Sequence, residues 1–171
     1  MTNSSCSVRR HRHLPLHYLI LIGQVNLLSH LYTHVIIPQA VVGELLHPHT
    51  PPDVRAWIRA LPPWCEIRQP QPAIPRELFR LGAGEREAIM LVEELQADIF
   101  LVDDDAGRKA AQQRVLPLTG TLGLLGKAGE QNLVDFPTAV AQLQATTFRM
   151  PPPAVMQTIL ARYAARRRLS T

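Results

Sequence analysis

Short apolar runs alternate with amphipathic stretches along most of this chain. Residues 35–38 (VIIP) and 99–102 (IFLV) are continuous apolar runs, a pattern typical of strands that are buried on both faces. Residues 84–98 place apolar side chains at helical spacing, with Glu85 and Glu87 near the N-terminus, where the helix dipole favours acidic groups. Further helices are predicted at 18–32, 38–46, 53–61, 106–115, 121–131, 138–146 and 154–168, and further short strands at 64–70 and 116–121.

This order of elements predicts the fold class. Buried strands that alternate with helices favour an α/β fold of three layers, in which a mostly parallel central sheet has helices on both faces. The length of 171 residues fits one domain. We predict an atypical basic segment at 1–13, the folded domain at 14–148 and a C-terminal helix with a basic end at 149–171.

Composition narrows the class of protein. A hydrophobic fraction of 46% and a charged fraction of 19% exclude wholesale disorder. The net charge of +4 suits a polyanionic partner only weakly, because much of the excess lies in the terminal runs 9–13 and 162–168. Two distant cysteines form no motif, so a reducing cytoplasm is expected. The apolar stretch at 14–23 is shorter than the roughly 20 residues of a membrane span, so no membrane association is expected.

Acidic residues follow the predicted strands. Asp103, Asp104 and Asp105 come directly after the run 99–102, where the carboxyl edge of a parallel sheet binds ligands. A helix begins here, so the alternative is one capping aspartate with two solvated neighbours. Glu44 and Glu87 are the other candidates, each also explicable as a solvated helix residue. Glu87 is preferred over the acid two positions earlier, because residues two apart do not share a helix face.

Three blocks of sequence, taken together, resemble a known family. They are residues 18–46, the run GAGEREAIMLVEELQADIFLVDDDAGRKAA (82–111) and the run LPLTGTLGLL (116–125). Their order and content are similar to a PIN-domain family close to the toxin nucleases of toxin–antitoxin pairs, over roughly residues 14–135. The resemblance implies a PIN-like fold and a metal-dependent endoribonuclease acting on RNA. It also implies an antitoxin protein as a possible partner, and a homodimer as a possible assembly.

The resemblance also implies a set of site residues. PIN domains gather acids at the carboxyl edge of the sheet, where they bind Mg²⁺ or Mn²⁺, and hard cations of this kind prefer oxygen ligands. Glu44, Glu87 and Asp104 match the catalytic, metal-binding acids, with Asp103 or Asp105 as an accessory ligand. The predicted substrate contacts, all close to the same sheet edge, are Thr119, Thr121, Arg108 and Lys109.

The N-terminus departs from the family pattern. Such domains begin with an apolar strand that ends in an aspartate, and a proline often follows. This chain has CSVRRHRHLP instead. If Pro15 corresponds to that proline, Arg12 lies near the aspartate position. The chain is therefore a degenerate, inactive copy, or its start is wrongly assigned, or His11 or His13 replaces the acid as a ligand. We predict that residues 1–12 form no buried central strand, because burying unpaired arginines is very unfavourable. We also predict that Glu44, Glu87 and Asp104 converge within about 8 Å, the size of a metal site.

Overall fold

A computed structural model describes residues 14–169, with side chains described to residue 166. Four short strands alternate with nine helices in this part of the chain. The helices are α1 (Pro15–Leu21), α2 (Leu27–Leu31), α3 (Gln39–Leu45), α4 (Pro52–Arg59), α5 (Ala83–Leu95), α6 (Asp105–Gln113), α7 (Thr121–Glu130), α8 (Phe136–Gln144) and α9 (Pro153–Leu169). The strands are β1 (Val35–Pro38), β2 (Cys65–Arg68), β3 (Phe100–Leu101) and β4 (Leu118–Thr119), and a 3₁₀ turn (Arg76–Leu78) precedes α5.

The strands form two parallel pairs. In the first, Val35 of β1 is opposite Cys65 of β2, and in the second, Phe100 of β3 is opposite Leu118 of β4. Helices α3 and α4 connect the first pair and α6 connects the second, as parallel strands require a crossover. The predicted α/β class is confirmed. Within residues 14–169, however, the predicted central sheet is present as two separate two-stranded sheets.

The position of helix α5 shows the relative direction of the two strand pairs. Near its N-terminus the Glu87 carboxylate accepts a hydrogen bond from the backbone N–H of Ala40, just beyond the end of β1. Its C-terminus leads into β3 and lines a groove together with the start of β1. Both β1 and β3 therefore run antiparallel to α5 and parallel to each other, so that their carboxyl ends lie at the same edge of the molecule.

The predicted helix at 18–32 is two helices. Gly23 adopts a φ of +70°, in the left-handed region that glycine enters without steric penalty, and α1 ends just before it. The chain resumes helical structure at Leu27, four residues later. The apolar spacing predicted the buried side chains on both sides of this turn, but the pattern itself does not break at the glycine.

Buried side chains divide into a larger and a smaller core. The larger core draws on α1 to α4, β1 and α7 to α9, and Tyr18, Leu45, Leu124 and Phe136 are fully buried in it. The smaller core lies between α5, β3, α6 and the 3₁₀ turn, around Ile89. The two cores meet along α5, which packs on both α3 and β3.

The C-terminal helix α9 packs on the larger core. Its Tyr163 is buried, and the Tyr163 ring centroid lies 4.9 Å from that of Phe136. Aromatic pairs at this separation add to the stabilisation from burial. Among residues 14–169, no helix combines the length and the apolar character that crossing a membrane requires.

Candidate functional site

Two of the predicted acids join helices α3 and α5. Glu44 of α3 accepts a hydrogen bond from the backbone N–H of Gly84 in α5 at 3.2 Å. Glu87 of α5 accepts one from the backbone N–H of Ala40 in α3 at 2.8 Å. The first N–H groups of a helix have no partner within the helix, and the positive end of its dipole favours a carboxylate there. Each helix thus supplies an acid to the N-terminus of the other.

Gly84 makes this close approach possible. A Cβ atom at position 84 would lie 2.9 Å from Cγ2 of Val41 and 3.3 Å from Oε1 of Glu44. Carbon atoms do not approach so closely without displacement of one side chain. The absence of a side chain at Gly84 therefore allows the first turn of α5 to contact α3, and it keeps Glu44 and Glu87 at the same end of β1.

Asp104 caps helix α6. Its Oδ2 accepts hydrogen bonds from the backbone N–H groups of Ala106 and Gly107, both at 2.9 Å. This is the capping role that the sequence left open as an alternative for one of the three aspartates. Asp105, the first residue of α6, is exposed.

Asp103 connects β3 to helix α7. Its Oδ1 accepts a hydrogen bond from the Thr121 N–H at 2.8 Å, and its Oδ2 accepts one from the Thr121 hydroxyl at 2.5 Å. Thr121 is fully buried, so its hydroxyl is held in the protein interior by Asp103. A Cβ atom at Gly120 would lie 2.6 Å from Oδ1 of Asp103, which explains the glycine between the two threonines.

Glu85 is a further acid at this edge, and the sequence reasoning passed over it. A Cβ atom at Gly107 would lie 3.3 Å from Cγ of Glu85 and 3.8 Å from Oδ2 of Asp104. The first turns of α5 and α6 are therefore adjacent, and Glu85 is the α5 acid that reaches α6. The signal in the sequence was the pair of glycines, Gly82 and Gly107, that leave space on either side of the Glu85 side chain.

The predicted substrate contacts lie close to these acids. Nη1 of Arg108 donates a hydrogen bond to the carbonyl oxygen of Val102 at 2.9 Å, so the guanidinium folds back over the end of β3. Lys109 is exposed, and Thr119 is half-buried at the end of β4. Their contacts with a substrate remain predictions.

A divalent cation such as Mg²⁺ needs oxygen ligands that lie close together. Within residues 14–169, no three aspartate, glutamate, histidine or cysteine side chains lie close enough together to hold a metal ion. The absence of such a group does not give the separations of the Glu44, Glu87 and Asp104 carboxylates, so their convergence within about 8 Å stays a prediction. Each of the three carboxylates accepts a backbone N–H at a helix N-terminus through one of its two oxygens. The described acids by themselves do not form a complete ligand set.

Similarity to known proteins agrees with this architecture. The PIN domain family matches residues 14–164. The chain belongs to the PIN domain family. PIN domains are generally nucleases and typically use divalent metals, so a nuclease-like role follows at that coarse level. No curated protein and no solved structure matches the chain significantly.

The prediction for the N-terminus lies outside the described residues. Arg12, His11 and His13 all belong to the segment 1–13, so their suggested roles stay predictions. The match to the PIN domain family begins at residue 14, immediately after this segment.

Proposed function

We propose that this chain is a PIN-domain endoribonuclease that uses Mg²⁺ and whose acidic site is incomplete. RNA is the proposed substrate, and the predicted ligands Glu44, Glu87 and Asp104 are the proposed acidic residues. A further carboxylate, at the end of a strand between β1 and β3, is the missing part. We therefore expect the chain with its present sequence to cleave RNA slowly.

One observation supports this proposal above the others. Glu87 lies at the N-terminus of α3, Glu44 at the N-terminus of α5 and Asp104 at the N-terminus of α6. Helices α3 and α6 follow the carboxyl ends of β1 and β3, and α5 contacts both strands. Open parallel α/β folds bind their ligands at this edge. One oxygen each of Glu87 and Asp104 has no hydrogen-bond partner among the described residues and remains able to contact a cation.

The residues of this edge also suit a phosphate substrate. Arg108 and Lys109 follow the acids in α6, and Arg108 lies against Gly120 at the N-terminus of α7. Cations and helix N-termini both attract phosphate oxygens. In this proposal the acids hold the metal that supplies water activation when bound, and the basic residues orient the RNA backbone.

The absence of a group of three potential metal ligands among residues 14–169 supports a second function. No three potential metal ligands converge within residues 14–169, which favours a domain that does not cleave RNA and whose proposed role is to bind RNA or a protein partner. An antitoxin-like protein is the proposed partner in that case. Mg²⁺-dependent cleavage separates the two functions.

The test is a cleavage assay with the purified full chain, a mixed RNA substrate and Mg²⁺. We expect slow cleavage, lost on Asp104→Asn and on Glu87→Gln, which keep the side-chain shape and remove the charge. Rapid cleavage lost on the same two substitutions would show that the acids present are sufficient. Cleavage insensitive to both substitutions would refute the assignment of the site, and RNA binding without any cleavage would favour the second function.

A further inference from the structure

An exposed aromatic ring lies in the turn that leads into α5. Phe79 directly follows the 3₁₀ turn, and 59% of its surface is exposed, although Leu78 and Leu81 on either side of it are buried in the smaller core. Every other phenylalanine, tyrosine and tryptophan within residues 14–166 is buried or half-buried. Single exposed apolar side chains are common, so the role of Phe79 depends on what surrounds it.

Arg86 of α5 holds the Phe79 ring in place. Its guanidinium carbon lies 5.7 Å from the ring centroid, within the range of a cation–π interaction. Nη1 of Arg86 donates hydrogen bonds to the carbonyl oxygens of Phe79 and Leu81, at 3.4 Å and 3.3 Å. Nε of Arg86 is buried, and the attraction between a cation and a ring is stronger when the cation is desolvated. The guanidinium therefore covers one face of the ring, and the exposed area lies on the other face.

The surface around Phe79 carries positive charge. Three arginines there form no ion pair with an acid of residues 14–166, namely Arg76, Arg80 and Arg86. Two acids that come close to the 3₁₀ turn and α5, Glu77 and Glu93, both pair with Arg114, at 2.8 Å and 2.6 Å. Side chains three positions apart in a 3₁₀ turn lie above one another, so Arg76 is on the same side as Phe79.

This surface adjoins the acidic edge. Arg86 directly follows Glu85, and a Cβ atom at Gly82 would collide with Oε2 of Glu85, so the segment that carries Phe79 contacts this acid. Ala88, in contrast, lines the space between β1 and β3. Residues two apart do not share a helix face, so Arg86 and the Phe79 ring lie on a different side of α5 from that space.

An aromatic ring with arginines beside it suits a single-stranded nucleic acid. Every nucleobase has a flat face that can stack on an aromatic side chain, whatever its sequence. The phosphates on either side of a stacked base accept hydrogen bonds from guanidinium groups. In a duplex the faces of the bases are covered by their neighbours, so a strand without a complementary partner fits this surface best.

We propose that Phe79 stacks on one base of a single-stranded RNA, while Arg76 and Arg80 contact the phosphates beside that base. Arg86 acts as a positioning residue, because it fixes the ring from behind. The bound strand then continues along α5 toward the acids of the carboxyl edge. This inference rests on RNA as the substrate in the proposed function, and it holds whether the bound RNA is cleaved or not.

The test is the affinity of the full chain for a fluorescent single-stranded RNA of about 12 nucleotides. Fluorescence anisotropy measures it in EDTA, which prevents metal-dependent cleavage. Phe79→Ala should weaken binding by about 5- to 150-fold, the range for loss of one base–aromatic stack. Phe79→Tyr keeps the ring and should bind like the unaltered chain. Val155→Ala, which shortens an exposed apolar side chain of α9, is the matched control and should leave the affinity unchanged.

Two further readouts distinguish stacking from a structural role. Arg76→Gln and Arg80→Gln should each reduce the dependence of log affinity on log salt concentration by about 0.7, the value for one phosphate of a single strand. Phe79→Ala should leave this dependence unchanged. Phe79→Trp should add fluorescence that the RNA quenches, because a stacked base lies directly on the indole ring.

Three results would overturn the proposal. They are an unchanged affinity of Phe79→Ala, an absence of quenching in Phe79→Trp, and tighter binding of polyglutamate than of RNA. The last result would make an acidic protein segment the preferred partner. The Mg²⁺-dependent cleavage assay keeps this inference separate from the proposed function. Cleavage that is lost on Asp104→Asn, with an RNA affinity that Phe79→Ala does not change, would refute the stacking site alone. An affinity that falls in Phe79→Ala, with cleavage insensitive to Asp104→Asn, would support the stacking site and refute the assignment of the acids.

Discussion

The β1–β2 half and the β3–β4 half of this domain are stabilised differently. Strands β1 and β2 pair over four residues and pack on the larger core, whereas β3 and β4 pair over two residues and pack on the smaller one. No ladder connects the halves within residues 14–169, and helix α5 joins them by packing on α3, β1 and β3. At the carboxyl edge, Glu44 and Glu87 add to this contact by accepting backbone hydrogen bonds between α3 and α5. Two acids of the candidate site, Glu44 and Glu87, therefore also help to hold the two halves together.

The largest expected loss of stability comes from truncating a fully buried side chain in either core. Ile89 and Leu124 are both fully buried, one in each core, and truncating either to alanine should destabilise the protein by about 2–5 kcal/mol. Hydrogen exchange should distinguish them. Leu124→Ala should raise exchange throughout the chain, whereas Ile89→Ala should raise it mainly in α5, β3 and α6, because local units open separately. The same exchange pattern in both variants would contradict the division into two halves.

A smaller effect should follow from loosening the buried contact between the end of β3 and the start of α7, within the β3–β4 half. Thr121→Val keeps the shape of a buried side chain and removes the hydroxyl that Asp103 accepts from, so it should cost about 1–3 kcal/mol in urea unfolding. Thr138→Val is the matched control, because Thr138 donates to Asp135 at the same 2.5 Å but on an exposed helix end. Equal losses in the two variants would show that the buried contact between Asp103 and Thr121 adds nothing beyond an exposed local cap.

Alanine substitutions at two glycines test the packing of α5 against α3. Gly84→Ala should destabilise by about 1–2 kcal/mol, because its Cβ atom would lie 2.9 Å from Cγ2 of Val41. Gly43→Ala, in α3 with no atom within 4 Å of the added carbon, should stabilise by about 0.5–1 kcal/mol through better helix propensity. Thermal unfolding of both variants measures the difference, and a stabilised Gly84→Ala would contradict the close approach.

The smallest expected effect is a pH dependence that arises in the β1–β2 half alone. Burial raises the pKa of the Cys65 thiol to about 11. Because the folded value lies above the unfolded one, the contribution of this thiol to stability is complete below pH 9 and declines as the pH rises toward 11. In a Cys6→Ser background, the rate of alkylation by iodoacetamide should rise with a midpoint near that pKa. A midpoint near the ordinary thiol value would show that β2 is open to solvent.

Local patterns predicted much of the fold. The strand at 35–38 has the predicted bounds, and α5 differs from its prediction by only a few residues, because continuous apolar runs and helical spacing are local properties. The run 99–102 yields a shorter strand, Phe100–Leu101, since a strand extends only as far as its partner does. The number of strands that meet in one sheet depends on the whole fold, and no local pattern contains it.

The site was predictable in part for the same reason. An aspartate immediately before a helix is a frequent cap, and the capping role of Asp104 follows from that local signal. The contact between Asp103 and Thr121 joins residues 18 positions apart and depends on the pairing of β3 with β4. Helix-face reasoning favoured Glu87 over Glu85, but the approach of α6 to the first turn of α5 also brings Glu85 to the edge.

Replacement of the first thirteen residues tests the central claim that the site lacks one acid. The replacement is an apolar strand that ends in aspartate, and the measurement is the rate of Mg²⁺-dependent RNA cleavage beside that of the unaltered chain. We predict an increase of at least about a hundredfold, equivalent to about 2.7 kcal/mol in the activation barrier, lost again on Asp104→Asn or Glu87→Gln. A matched strand that ends in asparagine should give no increase. Rapid cleavage by the unaltered chain, abolished by the same two substitutions and unchanged by the new strand, would show that the additional aspartate is dispensable.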